Sequence, residues 1–297
     1  MGQLQVRGIA VDWDAFFAPA RPVRVDLPTY AFQRERFWVA AQVEAGDMDA
    51  AGLEAIDHPL LSAVTEVAGG ESVLFSGRLS VAAQPWLADH VVNGTVIVPG
   101  TALVELAGRA GEELGCPLVR ELTLQAPLVL ADEGGVRVQM VVGALQESGG
   151  RPVAIHSRAH DAQAWTLHAQ GELAERADTE PGFAVAVWPP ADAVAVAVED
   201  LYERLGEIGL EYGPIFQGLA RAWVRPGEVL AEIVLPEQAH ADAARFGVHP
   251  ALLDAALHAS ALGDLLPAPE PGRPYLPFAW SGVSVHAVGA TTLRVRA

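Results

Sequence analysis

His90-Val-Val-Asn-Gly94-Thr-Val-Ile-Val-Pro99-Gly100-Thr101 is the stretch whose reading decides the fold. It has the form H-x-x-x-G-x-x-x-x-P-G: a histidine ahead of an apolar run, a glycine that permits a turn, and a Pro-Gly pair. Beyond that pair, Leu103, Leu106, Ala107 and Ala110 recur at helical spacing, which predicts a helix over 101–114 with Thr101 as its cap. Its broad apolar face suits a helix wrapped by a sheet. An imidazole among Val91, Val92 and Val96 to Val98 is expected to titrate low, to be neutral at pH 7 and to accept a proton. The free N–H groups of a helix start can hold a carbonyl oxygen as it gains negative charge. One short stretch thus places a candidate base beside a candidate oxyanion site. The competing reading is a satisfied structural histidine beside a Gly/Pro turn.

Around this helix the chain alternates in short β-like runs broken by turns. Strands are expected near 73–81, 122–130, 136–143, 153–157 and 164–173. A Pro-, Ala- and acid-rich connection follows, containing Trp188-Pro-Pro190. The second half repeats the plan, with a helix over 198–208, strands near 219–224 and 229–235, and a helix over 250–262 that starts at Pro250. Strands near 280–286 and 292–295 close it. Two strand-rich halves, each with one long central helix, predict an α+β fold made of a duplicated helix-in-sheet unit. The chain stops within a strand-like run, Thr292–Ala297, so the second unit is expected to lack its terminal strands.

Composition sets the outer bounds. The chain has 297 residues, is 51% hydrophobic and carries a formal charge of −18. It can bury a core, and it offers little to neutralise phosphates, so neither a nucleic acid nor an anionic membrane is an expected partner. Cys116 is the one cysteine, read as a packed small residue rather than a nucleophile; a reducing, cytoplasmic setting is expected. No apolar run approaches the roughly 18–20 residues of a membrane span.

The second half supplies an acid. Asp254 and His258 are four apart and share a helix face with Ala251, Leu257 and Ala261. Apolar surroundings favour the uncharged form of a carboxyl, which can then act as a general acid oriented by His258. The competing reading is an i, i+4 pair on a wet face. Tyr212, in Tyr212-Gly-Pro-Ile-Phe216, can point a phenol into a cleft or simply pack a turn. His156 and His160 lie on a strand-like stretch, too far apart for a shared metal and without a third ligand. His58, His168, His240 and His286 are isolated. There is no phosphate loop, nucleophile elbow or C-x-x-C pair.

Five motifs in order resemble the dehydratase domain of modular type I polyketide synthases. They are His58-Pro-Leu-Leu61, the His90–Pro99 run, Tyr212-Gly-Pro-Ile-Phe216, His249-Pro-Ala-Leu-Leu-Asp254-x-x-x-His258 and Leu276-Pro-Phe-Ala-Trp280. Leu27-Pro-Thr-Tyr-Ala-Phe-Gln-Arg-Glu-Arg-Phe-Trp38 is similar to the tail of the preceding acyltransferase linker. The resemblance implies a linker segment over 1–56, an N-terminal hotdog over 57–175, a connection over 176–195 and an incomplete C-terminal hotdog over 196–297. It implies a double hotdog whose site lies between the halves. The activity implied is dehydration of a (3R)-3-hydroxyacyl thioester on acyl carrier protein to the α,β-enoyl thioester. His90 would take the α-proton, Asp254 would protonate the leaving hydroxyl and His258 would orient Asp254. Tyr212 would contact the substrate hydroxyl or the wall. The Gly100 N–H would hold the thioester carbonyl, with Gly94 and Pro99 shaping that approach. No metal or organic cofactor is implied, since 4′-phosphopantetheine arrives with the substrate. Partners implied are the carrier protein, neighbouring acyltransferase and ketoreductase domains, and a second copy in a homodimer. Leu210 stands where the family often has a tyrosine, a departure that bears on substrate fit. Other readings are an inactive scaffold domain, or a hotdog thioesterase or product-template cyclase. A thioesterase needs a carboxylate near the helix; Glu105 is nearest and is expected to face solvent.

Overall fold

A computed structural model of the chain describes residues 3, 6–8, 10–21, 48–131, 134–160, 162–175, 187–263, 265–267, 269–270 and 272–297. The linker-like stretch 27–38, residues 44–47 and residues 176–186 of the expected connection lie outside these. The chain divides into two units, Met1–Glu44 and Ala45–Ala297. In the first, helix α1 (Trp13–Phe17) is capped by Asp12, whose Oδ1 accepts the Ala15 N–H at 3.0 Å.

The second unit begins with β1 (Glu54–Ala55), β2 (Ala63–Glu66), β3 (Val73–Leu79), β4 (His90–Val92) and β5 (Thr95–Val96). Helix α2 (Gly100–Glu113) follows, then β6 (Leu118–Leu124), β7 (Val136–Val142), β8 (Gly150–Ala159) and β9 (Thr166–Ala174). The remainder comprises β10 (Val194–Val196), α3 (Leu201–Glu207), β11 (Leu210–Tyr212), β12 (Leu219–Arg225) and β13 (Glu228–Val234). Helices α4 (His240–Ala243) and α5 (Pro250–His258) and strands β14 (Ala279–Val283) and β15 (Thr292–Arg296) complete it.

The described residues form three antiparallel sheets. The largest has the order β1-β2-β3-β7-β8-β9-β6-β14 and packs α2 against β6 and β9. In β7 the even-numbered residues Val136, Val138, Met140 and Val142 are buried and Arg137 and Val141 are exposed, the period of a sheet with one face on a core. The second sheet, β10-β12-β13-β15, packs α5 against β13 and β15. Each large sheet thus holds one helix, the double hotdog expected from the sequence. The third sheet, β11-β4-β5, joins the halves.

Helix α2 is enclosed on nearly all sides: residues 101–107, Ala110 and Gly111 are buried. It ends in a Schellman motif: Gly115 is left-handed (φ 72°), the Cys116 N–H reaches Gly111 O at 2.7 Å and the Gly115 N–H reaches Glu112 O at 3.3 Å. Cys116 is buried in that turn, as expected of a packed residue. The cap at the other end differs from the expectation. Pro99 is the N-cap and offers no side chain, while the Thr101 hydroxyl donates to Pro250 O at 3.0 Å, tying the starts of α2 and α5.

Three further expectations are corrected. The strand read over 122–130 is β6, ending at Leu124; beyond it Pro127 has no N–H for a ladder. Past Gln125, whose N–H still reaches His168 O of β9 at 2.7 Å, the chain leaves the sheet and pairs with the segment leading into α2, Val98 N–H to Leu128 O at 2.8 Å and Leu130 N–H to Val96 O at 3.0 Å. The strand near 280, read as closing the second half, is β14, which pairs with β6 of the first sheet, Ala279 opposite Thr123 and Val283 opposite Val119. Finally, Glu105 does not face solvent. It is buried, and its carboxylate accepts the Gly247 N–H at 2.8 Å and the Val248 N–H at 3.2 Å, with His58 Nε2 at 3.5 Å from Oε1. Those N–H groups belong to the loop feeding α5, which has no ladder partner for them. A surface-pattern reading cannot see that α2 is covered from the other half as well.

Two predictions follow from this packing. An added Cβ at Gly108 meets nothing within 4 Å, whereas at Gly111 it meets Cys116 O at 2.3 Å. Gly108→Ala should therefore raise stability by about 0.5–1 kcal/mol, while Gly111→Ala in the same helix should lower it by about 1–3 kcal/mol. Urea midpoints of the two variants check the opposite signs. Glu105→Ala leaves two partly buried N–H groups without their acceptor and should cost about 1–3 kcal/mol in the same measurement.

Candidate active site

The site is built from the β4–β5 hairpin and α5, one from each half. A 3-10 turn, Pro85–Asp89, delivers His90 into β4. The hairpin turn is Asn93-Gly94, with φ 48° and 73°, the pattern of a type I′ turn. His90 is 6% exposed, and its Nδ1–H donates to Ile97 O across the hairpin at 2.8 Å. That bond assigns the proton to Nδ1 and leaves the lone pair on Nε2. Strand β11 runs antiparallel to β4, placing Tyr212 opposite His90 and Leu210 opposite Val92. Asp89 secures the pairing: its main-chain oxygen accepts the Gly213 N–H at 2.8 Å and its Oδ2 the Ile215 N–H at 2.9 Å. Gly213 has to be glycine there, because a Cβ would lie 2.3 Å from Asp89 Cγ.

From the other half, α5 brings Asp254 and His258 onto one buried face. Pro250 opens the helix and His249 caps it, its Nδ1 accepting the Ala251 N–H at 3.2 Å. Asp254 Oδ2 lies 3.0 Å from His258 Nε2 and 3.8 Å from His90 Nε2. Asp254 is 5% exposed, so the wet-face reading of the Asp254–His258 pair is set aside. The Tyr212 ring lies 4.1 Å from the His258 ring, tilted by 44°, and 5.6 Å from the His90 ring.

Electrostatics favour a neutral base. Burial pulls the His90 pKa below the ordinary histidine value, outweighing the nearby Asp254 carboxylate, which favours the charged form. Burial likewise pushes the Tyr212 phenol well above its usual range, so it stays a neutral O–H donor.

A cavity of about 1120 Å³ opens onto this triad. His90, Tyr212, Asp254 and His258 line it, and so do Gly100 at the uncapped start of α2 and the family-variant position Leu210. Gly100 is closely packed: a Cβ would meet the Leu124 side chain at 2.9 Å. Pro99 and Gly94 do not line the cavity. Pro99 sets the start of the helix, and Gly94 turns the hairpin and donates its N–H to Glu211 at 3.2 Å. Reading the sequence missed three contributors: Asp89, Tyr202 and the 125–128 wall. His168 anchors that wall, Nδ1–H to Ala126 O at 3.0 Å, with Ser157 Oγ at 2.7 Å from Nε2. The Asp89 signal was present, since a carboxylate adjoining the candidate base is conspicuous. A lone-pair nitrogen beside a carboxyl at a cavity wall can withdraw a proton from one atom of a bound molecule and deliver one to another nearby.

Comparisons with known proteins point to one family. A family model described as polyketide synthase dehydratase domain matches residues 58–158. A second, described as polyketide synthase dehydratase N-terminal domain, matches residues 180–297. Polyketide synthase GfsA of Streptomyces halstedii is 51% identical over 301 residues, covering 100% of this chain and 4% of that protein. The chain therefore spans a small fraction of the synthases it resembles. A structure bearing on dehydratase substrate selection in the borrelidin and fluvirucin polyketide synthases superposes with a TM-score of 0.79 at 47% identity, over 84% of this chain and 88% of that one. The crystal structure of the erythromycin dehydratase gives 0.75 at 44% identity, over 84% and 89%. Among the described residues no helix is long and apolar enough to cross a membrane. With motifs, double-hotdog fold and relatives in agreement, the chain belongs to the dehydratase domains of polyketide synthases.

Proposed function

We propose that this chain removes water from a (3R)-3-hydroxyacyl thioester presented by acyl carrier protein, giving the α,β-enoyl thioester, with His90 as base and Asp254 as acid. The observation that carries the reading is the 3.8 Å approach of His90 Nε2 to Asp254 Oδ2 at the wall of one cavity. A 3-hydroxyacyl group must lose a proton from its α-carbon and gain one on the hydroxyl of the adjacent β-carbon, and groups this close can serve both.

The α-hydrogen of a thioester is too weakly acidic for neutral imidazole unless the enolate is stabilised. Gly100, the first residue of α2, lines the cavity, and a free N–H at that helix start suits the thioester oxygen. His90 Nε2 takes the α-proton, and the C–H electron pair becomes the new C=C bond. The C–O bond to the β-hydroxyl breaks as Asp254 gives its proton, and the product is water. His90 ends protonated and Asp254 ionised, and a proton passing back from His90 Nε2 to Asp254 restores both. His258 orients Asp254 through the 3.0 Å contact, and Tyr212 gives its phenol O–H to the substrate hydroxyl or wall. The substrate supplies its own 4′-phosphopantetheine, and the chemistry calls on no metal or organic cofactor. In this reading the chain acts in the cytoplasm, beside acyltransferase and ketoreductase domains and in a homodimer.

The test is incubation with a 3-hydroxyacyl-pantetheine thioester and detection of a product lighter by one water. His90→Phe and Asp254→Asn should each cut turnover by at least about 10²-fold with the fold intact. Both variants at full activity would overturn the assignment, and a folded but silent wild type would favour the scaffold reading. The pH profile supplies a second check. Because burial lowers the His90 pKa, the base becomes protonated below the ordinary histidine value of 6.5. The acid limb of kcat/KM should therefore fall below pH 6.5, with no loss between pH 8 and 7 on that side.

A further inference from the structure

Tyr202 lies outside the roles assigned above and is not among the residues that line the cavity. It sits on α3, and its hydroxyl oxygen accepts the Leu219 N–H at 3.0 Å. The same oxygen is 3.5 Å from His258 Nδ1, and the phenol packs edge-on to His258 at 5.6 Å and to Tyr212 at 6.3 Å. His258 in turn meets Asp254 through its other nitrogen. A continuous line therefore runs from a backbone amide of β12 through a phenol and an imidazole to the candidate acid.

We infer that Tyr202 is a positioning residue that fixes the tautomer of His258, and through it the proton on Asp254; this rests on the dehydration reading above. With the Leu219 N–H on one lone pair, the hydroxyl has one proton to place, and among the described residues His258 Nδ1 is the acceptor within its reach, at 3.5 Å. Burial raises the phenol pKa to about 12, so that proton is retained at neutral pH. A donor at Nδ1 excludes the Nδ1–H form and requires the ring to carry its hydrogen on Nε2. His258 then donates to Asp254 Oδ2 and cannot accept from it. The acid's own proton is left on Oδ1, free for the substrate. Without the hydroxyl, the Nδ1–H tautomer becomes accessible, Nε2 can accept, and Asp254 can give its proton to His258 rather than to a leaving group.

The direct test is the ring ¹⁵N chemical shifts of His258 in the whole chain, assigned against His258→Ala. Wild type should show the Nε2–H tautomer, and a wild type with the Nδ1–H form overturns the inference without any variant. Tyr202→Phe keeps the ring and its packing and should shift His258 toward a mixture. Its kcat should fall about tenfold with KM within twofold, and the loss should disappear in a His258→Ala background, where Tyr202 has nothing to act through. Equal losses in both backgrounds, an unchanged tautomer, or a wild-type kcat would overturn it. The tautomer measurement needs no substrate, so it stands or fails separately from the dehydration reading.

Discussion

The pairing of His90–Val92 with Leu210–Tyr212 is the contact on which the rest of the site depends. It is a backbone ladder between the two halves, as is the pairing of β14 with β6. Side-chain packing alone tolerates sliding, but a ladder has discrete registers, and a slip of one residue would turn His90 to the opposite face. Asp89 adds two more acceptors at the same seam. The Asn93 N–H reaches Gly209 O at 2.8 Å at the far end, so the short strand is held along its length. The base belongs by sequence to the first half, yet its strand takes its outer partner from the second.

The acid is located by a different device. Helix α5 is fixed at its start, where Thr101 reaches Pro250 and Glu105 collects the two N–H groups of Gly247 and Val248. A buried carboxylate is costly unless its lone pairs are filled, and here two backbone donors do so. Asp254 lies one turn beyond that anchor. A rigid start therefore becomes a defined distance at the carboxyl. This argues against Glu105 as a water-activating group, since its oxygens are already committed.

Three buried histidines illustrate how partners decide chemistry. His90 has one nitrogen satisfied by a carbonyl and the other open to the cavity, so burial yields a neutral base. His249 is held at a pKa of about 4 by burial and uses Nδ1 to cap α5 between Trp86 and Phe246. His168 is engaged at both nitrogens and serves the wall of the cavity. Residue type and burial are nearly the same in all three, and only the direction of the free lone pair distinguishes a reactive group from a structural one.

Much of this was legible in the chain of letters. The period-two runs, the enclosed helix after Pro99-Gly100 and the Asp254–His258 spacing are local, because strand and helix periodicities and the i, i+4 neighbour rule act over a few residues. They determined the two halves, both central helices and the principal candidate residues. Tertiary structure decided what depends on distant partners: β14 crossing to β6 and Glu105 buried rather than wet. It also decided the 3.8 Å between His90 and Asp254, and brought Tyr202 within reach of His258. Local periodicity specifies which face of an element is apolar; only the closed fold specifies what that face meets, and catalytic distances are set by the meeting.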